Sequence, residues 1–305
     1  MEPSTGPVKL FARPQLRRPY LVAAWAGMGA VGLLAANYLR QELGASLLGE
    51  IEPQAFFSPS QVYIKDGLIR GPELPTTRFY YWDKGAAHDL LIVVGTEQPA
   101  ETYEMAQCVL NAAQQFGVER VYTCAAFPTF IHHTHEPAVW GTATHAHLAG
   151  EMEVYDVQAM DQGSISGLNG LLLAVALERG LEGLCLLGEI PVYATQMINP
   201  KASSAVLAVL SGLLQVEIDR TKLLLWAEDL RPEMDKLYDV LPARIREVTE
   251  NPEGQAPSLP MEAHGAEQPF VADETFFDEI ARFLEQHSRS ESDRGEGEDP
   301  DSTPG

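Results

Sequence analysis

Between Tyr20 and Leu214, short apolar runs rich in Val, Ile, Leu and Ala alternate with longer runs whose apolar residues recur at helical spacing. That alternation is expected of strands joined by helical crossovers, an α/β sandwich around a mixed, mostly parallel sheet. The spacing predicts strands at 21–26, 47–51, 90–94, 120–125, 154–159 and 183–187, and helices at 30–42, 101–116, 166–178 and 200–213. Gly, Pro, Ser or Thr residues open each helix. Segment 61–81 breaks the alternation. Residues 62–65, an Asp66-Gly67 turn and residues 68–70 read as a β-hairpin, an antiparallel insertion beside the main sheet.

Downstream the character changes. Over 219–250 the chain is charged, and Leu223, Trp226, Leu230, Met234 and Leu237 recur at three- and four-residue steps, giving one apolar helical face to pack on the domain or on a partner. Pro232 falls inside this run and removes a backbone donor, so two helices are expected there. The predicted organisation is an extension at 1–19, an α/β domain at 20–215 and a helical extension at 216–250. A Pro-, Gly- and Glu-rich linker at 251–272 follows, then an amphipathic helix at 273–287 built on Phe276, Phe277, Ile280, Phe283 and Leu284. An acidic Ser/Gly/Pro tail at 288–305 lacks the apolar surface needed to fold.

Composition narrows the function classes. With 45% hydrophobic residues in 305, the chain buries a sizeable core, which excludes a wholly disordered protein. A formal charge of -22 repels phosphate backbones and anionic membrane surfaces, so neither nucleic acid nor membrane is an expected partner. The apolar stretches contain glycines and fall short of the ~20 residues that cross a bilayer. Arg13, Arg17 and Arg18 interrupt the N-terminal segment, leaving no apolar signal region. Cys108, Cys124 and Cys185 have no metal-binding spacing and too small a count for a disulfide framework. A cytoplasmic protein is expected.

Three groups of residues carry candidate chemistry. Gly27, Gly29 and Gly32 follow a predicted strand and open a helix, the G-x-G-x-x-G arrangement that brings backbone amides to a pyrophosphate. Glu50 and Glu52 stand at about the ~20-residue distance where a dinucleotide site places its ribose-binding acid. The alternative is that these glycines permit a tight turn and close helix–sheet packing. Gly163, Ser164, Ser166 and Gly167 precede the helix at 166–178, where hydroxyls and amides bind an anion or cap the helix. Ile165 stands where a nucleophile elbow needs serine. Glu189 ends a predicted strand, at the sheet edge where open α/β folds bind ligands.

The third group is His132, His133 and His135 with His145 and His147, five imidazoles within sixteen residues. Histidines two apart share one side of an extended segment and suit a transition metal. No H-e-x-x-H spacing or cysteine accompanies them, and 139–144 reads as a strand between the pairs. The other reading is a polar, pH-responsive loop near the strand ends. No nucleophile–base–orienter set assembles, so no catalytic residue and no cofactor are assigned.

Three stretches carry a family resemblance. Ala24-Trp25-Ala26-Gly27-Met28-Gly29-Ala30-Val31-Gly32 with Ala35-Ala36-Asn37-Tyr38-Leu39, then Gly163-Ser164-Ile165-Ser166-Gly167-Leu168-Asn169-Gly170, then Leu187-Gly188-Glu189-Ile190-Pro191-Val192-Tyr193 with Asn199-Pro200-Lys201-Ala202, occur in this order. The chain resembles the proteasome assembly chaperone 2 family from about Tyr20 to Leu214. The resemblance implies a fold like that of purine nucleoside phosphorylases and self-association as a homo-oligomer or pairing with a related subunit. It implies a protein-binding or assembly role without catalysis. The residues themselves leave one alternative, a small-molecule protein of nucleotide or nucleoside type, binding protein or enzyme, that uses the Gly-rich strand-to-helix loop. The resemblance also makes Gly27, Gly29 and Gly32 structural glycines. Members that dock on proteasomes often end in a hydrophobic residue, tyrosine and one more residue, whereas this chain ends Thr303-Pro304-Gly305.

Overall fold

A computed structural model describes residues 6–250 apart from 60, 61, 73, 86 and 98. The predicted linker, last amphipathic helix and tail, 251–305, lie outside the described residues. The main-sheet strands are β1 (Val8–Leu10), β2 (Tyr20–Trp25), β3 (Ser46–Ile51), β6 (Thr77–Trp82), β7 (Leu90–Gly95), β8 (Arg120–Thr129), β9 (Val139–Ala143), β10 (Gln158–Ala159) and β11 (Glu182–Pro191). They form one nine-stranded mixed sheet in the order β1-β3-β6-β7-β2-β8-β11-β9-β10. The parallel strands β7, β2, β8 and β11 occupy its centre. Antiparallel pairings extend it on both sides, β1–β3–β6–β7 on one and β9 against β11 on the other.

The centre is parallel because its strands are apolar on both faces. Every residue of β2 and of β7 is buried, as expected where helices cover both sides of a parallel sheet. Helices α1 (Val31–Glu42) and α5 (Pro200–Leu214) pack together on one face, α2 (Thr102–Gln114) and α4 (Gly167–Glu178) on the other. Gly32 shows how closely α1 approaches: a Cβ there would lie 1.9 Å from the Cys124 carbonyl oxygen of β8.

The predicted hairpin forms β4 (Tyr63–Lys65) and β5 (Leu68–Arg70), a separate two-stranded sheet. Asp66 and Gly67 both have positive φ, as its tight turn requires. Three expectations fail. The predicted strand at 154–159 is mostly absent, because Val154 closes the unpredicted helix α3 (His147–Val154) and only Gln158–Ala159 pairs with β9. The β-branched Val154 and Val157 gave that window its strand character, while the buried Leu148 and Met152 sit one helical turn apart. β1 and β6 were hidden in segments read as an extension and an insertion. Segment 219–250 holds three helices, α6 (Thr221–Asp229), α7 (Arg231–Asp239) and α8 (Ala243–Glu250). Pro232 lies in the first turn of α7, where its missing donor costs nothing, and Pro242 marks a second break just before α8.

Candidate functional site

The carboxyl ends of β8 and β11 gather four of the polar residues singled out above, Glu189, His132, His133 and His135. The two strands run in parallel register as far as Thr129 and Pro191. Glu189 fixes the loop leaving β8: its carboxylate accepts from the Thr129 hydroxyl at 2.8 Å and from the Ala138 amide at 3.0 Å. His133 is held from both sides. Its amide donates to the Tyr193 oxygen at 3.0 Å, its Nδ1 lies 2.8 Å from that oxygen, and its Nε2 lies 2.9 Å from Asp235 Oδ1. The neutral imidazole with its proton on Nε2 satisfies all three contacts. Nε2–H donates to Asp235, and Nδ1 accepts the Tyr193 O–H.

Around this core, Lys201 donates to the carbonyls of Thr134 (3.0 Å) and His135 (2.9 Å) and pairs with Glu136 at 2.9 Å. His132 contacts Thr134 Oγ1 at 2.8 Å and meets Tyr238 edge-on, with ring centroids 4.4 Å apart. Burial, then the neighbouring imidazoles His133 and His135, lower the His132 pKa, and burial pushes the Tyr193 phenol up to about 12. Glu189, His132, His133, His135 and Lys201 therefore come together, yet only about 10 Å³ remains among them, hardly a single water. The larger hollow lies next to them. An open groove of about 720 Å³ runs between the 192–197 turn and α7, lined by Val192, Tyr193, Met197, Glu233, Lys236 and Leu237.

The Gly-rich loop joins the same edge as a latch. Gly27 is extended, Met28–Ala30 make one 3-10 turn, and Gly29 and Ala30 both have positive φ, 60° and 50°. The Gly29 amide donates to the Thr195 carbonyl at 2.7 Å, the Ala30 amide donates back to Gly27 at 2.9 Å, and the Gly29 carbonyl accepts from the Asn199 amide at 2.9 Å. These amides face protein carbonyls in place of a pyrophosphate. The ribose-binding acid also falls away: β3, which carries Glu50, is separated from β2 by β6 and β7, whereas a dinucleotide fold sets that strand beside the first.

The remaining candidates lie elsewhere. Gly163, Ser164 and Ser166 are exposed, and Gly167 opens α4, in the helical layer opposite α1 and α5. Ser166 occupies the N-cap position, but its side chain makes no capping bond. His145 and His147 sit at the other end of β11. His147 Nε2 lies 2.8 Å from Glu182, the first residue of that strand. The seven residue steps from Glu182 to Glu189 span about 23 Å at ~3.3 Å per residue, so the five histidines form no common site. No group of three or more His, Cys, Asp or Glu side chains suited to a metal ion occurs among the described residues. Glu182 instead accepts from Arg120 Nε at 2.8 Å, whose Nη1 donates to Glu151 at 2.6 Å, tying α3 to the strands.

Sequence reasoning missed Tyr193, Asp235 and Tyr238 as members of the site. Asp235 is 102 residues from His133, and no local pattern marks such a contact.

A three-layer α/β protein whose sheet edge carries an internally bonded polar rim beside an open groove is the class these features define. The PAC2 family model matches residues 21–238, and the chain belongs to the PAC2 family. It is 30% identical over 227 residues to an uncharacterised protein of Methanocaldococcus jannaschii, covering 73% of this chain and 84% of that one. Among solved structures, Pyrococcus furiosus PbaB, described as an archaeal proteasome activator, is 30% identical with a TM-score of 0.66, covering 75% of this chain and 97% of PbaB. Pyrococcus furiosus PbaA, described as an archaeal homolog of proteasome-assembly chaperone, is 27% identical with a TM-score of 0.58, covering 76% and 99%. No described helix is long and apolar enough to cross a membrane.

Proposed function

We propose that this chain is a non-catalytic, chaperone-like protein that binds protein partners at the sheet edge formed by the 192–197 turn and α7. The observation that carries the reading is the extent of the likeness to PbaB, 30% identity over 97% of that chain, joined to the chemistry of the rim. Both ring nitrogens of His133 and both carboxylate oxygens of Glu189 are engaged within the protein. Groups committed in this way act as scaffold, and an open apolar-floored groove beside them suits a protein surface. Three free, buried thiols, Cys108, Cys124 and Cys185, support a reducing, cytoplasmic setting.

The descriptions of PbaB as a proteasome activator and PbaA as a homolog of proteasome-assembly chaperone support a proteasome partner, and we place it at the subunits of the core. Co-expression with the core subunits of the host, followed by native electrophoresis and size-exclusion chromatography, tests it. The expected result is co-migration with subunits or with a partly assembled core, and a changed yield of complete core. Separate migration with unchanged assembly, at tens of micromolar protein, would refute the proposal.

A further inference from the structure

Helix α7, one wall of the groove, buries a single residue of its nine, Met234. Two adjacent imidazoles of the loop after β8 add to that anchor. His133 bonds Asp235 at 2.9 Å, and His132 packs against the rings of both His133 and Tyr238, with centroids 4.3 and 4.4 Å away.

The His132 ring is set up to be neutral. Its Nδ1 accepts the Thr134 amide at 3.3 Å and lies 2.8 Å from the Thr134 hydroxyl. An amide hydrogen needs a lone pair, so a proton on Nδ1 ends the bond to the amide and the loop loses that tie. Titratable groups face this ring from every element around it: His133 and His135 from its own loop, Asp235 and Tyr238 from α7, Glu250 from the end of α8, Glu189 from β11 and Lys201 from α5. The carboxylates are already engaged. Asp235 accepts from His133, Glu250 from the Tyr238 hydroxyl at 3.0 Å, and Glu189 from Thr129 and Ala138. An imidazolium at 132 therefore finds no unengaged carboxylate and meets His133 ring to ring, which disfavours its charge.

We propose that His132 is a proton-operated catch on α7: while neutral it holds the helix to the rim, and on protonation it releases α7 and opens the groove. The catch itself needs no ligand, and only its consequence for partner binding rests on the docking reading above. The sign follows from the neutral ring being the one that fits, so α7 is held at neutral pH and let go as pH falls through the folded pKa of His132.

Amide exchange read by mass spectrometry and corrected for the intrinsic effect of pH tests it, followed between pH 8 and pH 5 in 231–239 and, as a reference, in α2. The His132 ring is titrated in parallel by NMR. Protection in 231–239 is expected to fall at least about tenfold more than in α2, with the midpoint of the His132 titration. A His132→Phe variant keeps a ring beside Tyr238 and takes no proton, so the acid-dependent fall should vanish. Protection in 231–239 that falls no more than in α2, a fall with a midpoint other than that of His132, or the same fall in His132→Phe would each overturn the proposal. The titration of the unmodified chain decides even where the variant folds poorly. Release of α7 with undiminished binding of core subunits at the same pH would refute the docking reading alone.

Discussion

Replacing Gly32 with alanine separates a structural glycine from a ligand-cradling one. The new Cβ would lie 1.9 Å from the Cys124 oxygen, 2.4 Å from its carbonyl carbon and 3.0 Å from the Ala125 amide nitrogen. All three atoms are β8 backbone, so no side chain can rotate aside and α1 must move off the sheet. Overpacking of this kind costs typically ~1–3 kcal/mol, and a clash with backbone belongs at the upper end. Alanine recovers about 1 kcal/mol of helix propensity over glycine. The net loss is about 2 kcal/mol, which lowers Tm by roughly 4–8 °C for a body of this size. Thermal unfolding followed by circular dichroism, with urea unfolding as a check, measures it. A Tm equal to or above that of the unmodified protein would show that α1 does not approach β8 as described and would remove the packing explanation for Gly32.

Asp235→Ala leaves the His133 Nε2 donor, in a side chain only 4% exposed, without its partner; a loss of about 1–3 kcal/mol is expected, with faster amide exchange in both 131–137 and 231–239, and exchange unchanged in α7 would contradict the bond. His132 has its pKa lowered in the folded state, so between that value and the unfolded value of ~6.5 the unfolded chain binds more protons. The stabilisation is complete above about pH 6.5 and is lost as pH falls through the folded pKa; His132→Gln should flatten the acid limb of a Tm-against-pH curve, and an unaltered limb would exclude His132 as its source. Burial pushes the thiols of Cys108 and Cys185 up to about 11, so a thiol reagent at pH 8 should label the three cysteines only after denaturation; rapid labelling of the native protein would contradict their burial.

What the sequence disclosed follows from the range of the forces involved. The central strands and α1, α2, α4 and α5 were legible because burial on both sheet faces or on one helix face imposes its own periodicity. β6 was not, because a strand whose burial alternates between buried and half-buried next to an inserted hairpin resembles part of that insertion. Helix α3 was masked by β-branched residues at its end. Among the site residues, Glu189 was visible because a carboxylate ending a strand before Pro191 has few explanations, and the histidine loop because its density was unusual. Tyr193 and Asp235 acquire their roles only when β11 and α7 meet across the edge of the sheet.

The contacts on this edge hold the groove proposed for docking in a fixed shape. One wall, the 192–197 turn, is fixed at two points: the Gly29 amide holds the Thr195 carbonyl, and Tyr193 is bonded to His133. The other wall, α7, is anchored by Met234, buried to 6% exposure, and by the Asp235–His133 bond. His133 therefore bonds to both walls, and its loop is in turn held by Glu189 and Lys201. A partner entering the groove meets walls already in place, so little ordering entropy is lost on binding. The same reasoning gives the Gly-rich turn its role: it holds the 195–199 segment where the wall needs it, a role that any residue unable to adopt φ near +60° at position 29 would weaken.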